Sequence, residues 1–245
     1  MAIGVVQSAT NDQYNSTTRT SLGVTLGSNV TTGNLVVIIA TWQGSGGTRT
    51  ITSVSDGNSY SDVGTEGQDG SGTQRQRWYY YPNHAGGSTT VTVTWSGNVN
   101  YCSVTAVELS GAHASTPFDQ VVYNAQEPPG TGTDNITSTA LTPSTDNCIL
   151  LGFSQDTINL STGTFVAGTD FTESIASTTF GGFLYMLEYY VQTTAASKAA
   201  TFTQNVNDDR LTGLCIFKPA AVSGGLFTPL AGAGGLAGPI RGLAG

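Results

Sequence analysis

The chain has 245 residues, 8 basic and 16 acidic side chains, a formal charge of −8, and only 10 % charged against 38 % apolar residues. The acidic balance, with Lys198 and Lys218 as the two lysines, argues against a nucleic-acid partner, because phosphate contacts need Lys and Arg. The apolar share excludes a disordered chain, and the length suffices for one large or two modest cores.

In chain order, short apolar runs alternate with Gly, Asn, Asp and Ser clusters, and no 3.6-residue period is sustained. The pattern predicts strands at 3–7, 22–26, 35–42, 49–54, 74–81, 89–95 and 102–109. A second set follows at 120–124, 136–141, 148–153, 164–168, 183–191, 199–203 and 211–218. Residues 35–40 are apolar at every position, as in a strand covered on both faces, whereas Thr90 to Trp95 alternates strictly. Asp56-Gly57 carries the two-residue hairpin signal, since Gly accepts the positive φ of a type I′ turn.

The two sets are similar to each other. Trp78 falls on Leu187 and Val93 on Phe202, both 109 residues on, and continuing without a gap puts Val107 on Ile216. Leu35 falls on Ile149 at 114, and Val5 on Val121 at 116. The expected fold is all-β: two tandem, internally duplicated antiparallel β-sandwich repeats, 1–116 and 117–219, and an extended Gly- and Leu-rich tail, 220–245.

Within the tail, residues 224–245 hold eight Gly, Pro229 and Pro239, and Arg241 as the single charge. Leu226, Phe227, Leu230, Leu236, Ile240 and Leu243 recur along it. A flexible spacer is polar, whereas burying each of these side chains would contribute about 1.5–3 kcal/mol, so they are candidates for docking on a partner subunit.

Signals for catalysis are few. A Ser-His-acid set needs an imidazole beside the hydroxyl, and His84 and His113 both fall in expected loops. Cys102, Cys148 and Cys215 sit in apolar strand patterns and read as buried free thiols, without the Cys-x-x-Cys spacing of a zinc site. Asp208-Asp209 is expected in a hairpin loop, and Glu108 and Glu188 in strands where one carboxylate commonly faces solvent, a poor acid/base pair for glycoside hydrolysis. No enzyme activity, cofactor or metal is expected. In the strand 74–81, period two puts Arg77, Tyr79 and Tyr81 on one face and Trp78 and Tyr80 on the other. With Trp78 and Tyr80 as the core face, Arg77, Tyr79 and Tyr81 could stack on a sugar or a partner protein.

The run from Gly33 to Val37, the hairpin from Ile51 to Tyr60, the segment from Thr89 to Trp95, the link from Val107-Glu-Leu-Ser-Gly-Ala to Pro117-Phe-Asp, and the closing Cys215-Ile-Phe-Lys-Pro resemble the tandem β-sandwich (jelly-roll or Ig-like) structural proteins of tailed-bacteriophage virions and related bacterial surface proteins. The resemblance covers 1–219 and transfers no catalytic residues. It implies a structural virion protein, a capsid decoration or fibre-type subunit, whose partners are other copies or a major capsid or tail protein. The alternative is a carbohydrate-binding or adhesion module acting on surface glycans. The N-terminus lacks the basic and apolar regions of an export signal, and no window is long enough for a membrane span; a virion component assembled in the host cytoplasm is the expectation.

Overall fold

The computed structural model describes residues 2–13, 19–44, 49–87, 90–126, 134–156, 163–175, 184–204 and 209–221. The fold is all-β and antiparallel, and the described residues contain no helix. The first set of strands is β1 (Gly4–Gln13), β2 (Arg19–Thr25), β3 (Leu35–Gly44), β4 (Ile51–Ser55), β5 (Ser61–Asp62), β6 (Gly67–Gln68), β7 (Gln74–Tyr81) and β8 (Thr90–Ser110). The second is β9 (Phe118–Gln126), β10 (Asp134–Thr137), β11 (Cys148–Asp156), β12 (Phe165–Ala167), β13 (Thr172–Ile175), β14 (Tyr185–Gln192), β15 (Thr201–Gln204) and β16 (Arg210–Phe217).

The segments expected as separate strands at 89–95 and 102–109 are one strand, β8, which serves two layers. Its first part pairs with β2 and β4, where Val93 faces Leu22 and Val54. Its second part pairs with β1 and β3, where Ala106 faces Ala9 and Ile38. Between them the register slips against several neighbours and Tyr101 takes a φ of 28°, the local bend by which a strand turns a sandwich corner. In the second set the same two roles fall to separate strands, β15 and β16.

The strand order of the two central sheets is the same: β1-β8-β3-β7-β5 in one, β9-β16-β11-β14-β13 in the other. Outer sheets repeat it too, with β8 between β2 and β4, and β15 between β10 and β12. Side-chain bonds recur as well: the Asn11 amide donates to the Gly23 carbonyl (2.6 Å), and Asn124 to that of Thr137 (2.7 Å).

The registers correct two of the offsets read from sequence. Val37 pairs with Val107 and Leu151 with Cys215, so Val107 corresponds to Cys215 rather than Ile216. Val5 pairs with Leu109 and Phe118 with Phe217, so Val5 corresponds to Phe118 rather than Val121. The ungapped continuation past Val93 slips at Val107 because the link between the outer and central layers differs in length between the copies; the Val5 match slips along β1 and β9, where similar apolar residues recur.

Four layers result, with three cores between them. The outer core of the first set holds Val36, Ile38, Trp42, Tyr79, Val93 and Trp95; that of the second holds Leu150, Phe165, Met186, Phe202 and Ile216. Between the central sheets lies a seam packed by Leu35, Val37, Ile39 and Trp78 against Ile149, Leu151, Phe153, Leu187 and Phe217. Since alternate side chains point to opposite faces, β3 sends Val36 and Ile38 outward and Leu35 and Val37 into the seam. This double coverage is the cause of its continuous apolar run.

Candidate functional site

Strand β7 presents no stacking platform. Trp78 enters the seam, as its expected core role requires, but Tyr79 is itself buried, 7 % exposed, in the outer core on the opposite face. The expectation of an exposed Tyr79 is corrected: both faces of a central strand are covered, so period two assigns faces without assigning solvent. Burial pushes its phenol up to about 12. Tyr81 is half-buried and packs against Tyr60 (5.5 Å) and edge-on to His84 (5.6 Å). Arg77 is engaged by Asp62, with Nε to Oδ1 at 3.1 Å and a second, shorter bond from Nη2, while Arg75 bonds Glu66. The acidic segment around β5 and β6 thus neutralises both arginines.

His84 is in the loop after β7, as expected, yet it is 1 % exposed. Its Nε2 lies 2.7 Å from Asp56 Oδ2, and its Nδ1 accepts the Gly86 N–H at 2.9 Å. An Nδ1 that accepts a main-chain proton leaves Nε2 as the donor to Asp56, so neither ring nitrogen is left to act as a base. The Asp56 carboxyl is opposed by burial but accepts from His84 and from Asn58, and stays below its ordinary value. The hairpin at Asp56-Gly57 is thereby pinned to the β7–β8 connection.

Glu108 and Glu188, expected in strands where one carboxylate commonly faces solvent, are both fully buried. Glu108 accepts from the Gln7 amide (2.6 Å), the Thr31 N–H (2.8 Å) and the Asn34 amide (2.6 Å). Burial opposes its ionisation, and these donors more than offset it, holding its pKa below the usual value. Glu188 accepts the N–H groups of Gly168 (2.8 Å) and Thr201 (3.2 Å), where the β12–β15 ladder ends. Here burial dominates and raises the carboxyl to about 7. Each carboxylate replaces main-chain partners that the outer sheet cannot supply, and the two lie in different cores.

The three thiols are buried and free, and burial pushes each pKa up, the opposite of an activated nucleophile. No group of three His, Cys, Asp or Glu able to hold a metal occurs among the described residues. No helix among them is long and apolar enough to cross a membrane.

The polar end of the seam is not marked by any local sequence motif. Asp12 on β1, Gln74 at the start of β7, and Gln155 and Asp156 at the end of β11 surround a small cavity beside Tyr101 and Tyr185. Tyr185 Oη approaches Asp12 Oδ2 at 3.5 Å. In sequence it shows only as Gln155-Asp156 continuing a run, Ile149 to Phe153, that alternates between two cores.

The docking candidates Leu226, Phe227, Leu230, Leu236, Ile240 and Leu243 lie outside the described residues. What is described is the approach to them. The Ala220 N–H donates to Gly111 (2.7 Å), the Lys218 N–H to Pro117 (2.7 Å), and Ala112 bridges Pro219, so 218–220 is fastened along the connection between the two sets of strands. Hollows of about 400 and 320 Å³ flank 219–221, one against His113 and Thr145, the other against Ile3 and Val191. No family model, curated protein or solved structure matches this chain.

Proposed function

We propose that this chain is a structural subunit of a particle, a virion decoration or fibre-type component, held in its assembly by residues 224–245. The observation that carries the reading is the anchored departure of the chain at 218–221, between two hollows, into a segment rich in Leu and Gly with Arg241 as its single charge. Segments that carry six large apolar side chains lower their free energy by finding a surface, and each such contact contributes about 1.5–3 kcal/mol. The resemblance of 1–219 to tandem virion sandwiches supports the same reading. So does the use of His84, Asp56, Glu108 and Glu188 as internal fasteners rather than as reactive groups.

The test is light scattering and electron microscopy of the full chain beside a variant carrying Leu226→Ser, Phe227→Ser and Leu230→Ser. Assemblies in the parent and monomers with unchanged β circular dichroism in the variant are expected. Identical particle size for both would remove the proposal.

A further inference from the structure

The cavity at the polar end of the seam has walls from both halves of the chain, Asp12, Gln74 and Tyr101 from the first and Gln155, Asp156 and Tyr185 from the second. Its volume, about 10 Å³ open to the centre of a water-sized sphere, holds one such sphere and no organic ligand. Gln155 is 2 % exposed, and neither Oε1 nor Nε2 of its amide has a protein partner. Gln74, also 2 % exposed, contributes an unpartnered Oε1. Both ends of the Gln155 amide are unmet whichever way it is turned.

We infer that this cavity is a binding site for a single water molecule that bridges the two halves of the chain through Gln74 and Gln155. The chemistry of the carboxamides selects the ligand. A metal cation would find the two Oε1 atoms and the carboxylates of Asp12 and Asp156, but it would meet the positive N–H edge of Gln155 head-on, and no group of three His, Cys, Asp or Glu able to hold a metal occurs among the described residues. Water donates to both oxygens and accepts from Nε2, giving it the three bonds that are usual for a buried water. Thr41 and Ser103, on the same wall, are already bonded to each other at 2.7 Å, and the two carboxylates there are engaged as well, Asp12 by Tyr185 Oη and Asp156 by the Leu184 N–H at 3.0 Å. The site lies in a different core from both buried glutamates and is independent of the proposed docking segment.

Water-selective NMR on the full chain is the direct test. The Gln155 and Gln74 side-chain amides should show cross-relaxation to a water resident for longer than a nanosecond. Gln155→Leu supplies the thermodynamic arm. With a bound water, removing the amide leaves the folding constant unchanged or lower; in a dry cavity it removes two unmet groups and raises that constant tenfold or more. Absence of the long-lived water signal, or a tenfold gain on Gln155→Leu, overturns the inference. Tb³⁺ luminescence sensitised by Tyr101 and Tyr185 and abolished by Gln155→Leu would also overturn it, by identifying a cation in the site.

Discussion

Gln7 and Gln120 hold one position in two copies: each lies one residue past a bulge, opposite Glu108 in one copy and Ile216 in the other. The Gln7 amide donates to the Ser28 carbonyl at 3.1 Å, and the Gln120 amide to that of Thr142 at 2.7 Å. Bulges are local irregularities that sequence periodicity does not require. Their recurrence with the same side chain and the same kind of acceptor is stronger evidence of duplication than similar apolar patterns.

The two glutamines have unequal consequences. Gln7 also accepts from Ser28 N–H (3.0 Å) and donates to Glu108, whereas Gln120 has its bond to Thr142. Gln120→Ala should cost about 1 kcal/mol, and Gln7→Ala about 2–3 kcal/mol because it strips a buried carboxylate of a donor. Urea unfolding of the two variants measures the difference, and equal losses would contradict it.

Opposite pH dependences are expected of the two buried glutamates. Glu188 is raised from 4.5 to about 7, so its contribution is complete below the unfolded value and is lost as pH rises through the folded one. Between pH 4.5 and 7 it should remove about 3 kcal/mol, and Glu188→Gln should flatten that slope in unfolding curves recorded across the range. Glu108 is lowered, so its contribution is present above 4.5 and disappears as acid protonates the folded carboxylate. Glu108→Gln should reduce the acid sensitivity while lowering stability at neutral pH.

Gly213 lies where β16 crosses the seam, and a Cβ there would come within 2.2 Å of Gln76 Oε1 and 3.0 Å of Trp78 Nε1. Gly213→Ala should therefore cost about 1–3 kcal/mol by overpacking. Thermal unfolding checks this, together with the near-ultraviolet signal of Trp78, which should change; an unaltered spectrum and melting temperature would show that the seam yields freely.

Breaking the His84–Asp56 pair leaves a carboxylate with a fully buried side chain short of its ring partner. His84→Ala should cost about 2–3 kcal/mol, in the range for taking a hydrogen-bond donor from a buried charged group. The same change in Asp56→Asn should be smaller, since an amide keeps an acceptor for Asn58. Chemical denaturation of both variants gives the order, and the reverse order would show that the imidazole packs rather than pairs.

The all-β class, most of the strand positions and the duplication follow from local chemistry alone: alternation, Thr-rich faces, turn residues at the hairpin and the matched apolar runs; the short strands β5, β6 and β13 and the continuity of β8 do not. Residues 35–40 even announced a strand covered on both sides. What covered it was settled only in three dimensions, because one apolar face is physically the same whether it meets an outer sheet or a second repeat. That ambiguity misplaced Tyr79, whose alternation assigned it correctly to a face and wrongly to water, and it hid the burial of both Glu108 and Glu188. It also concealed the seam cavity, since a polar side chain at the end of an apolar run becomes buried only when a second sheet is laid over it.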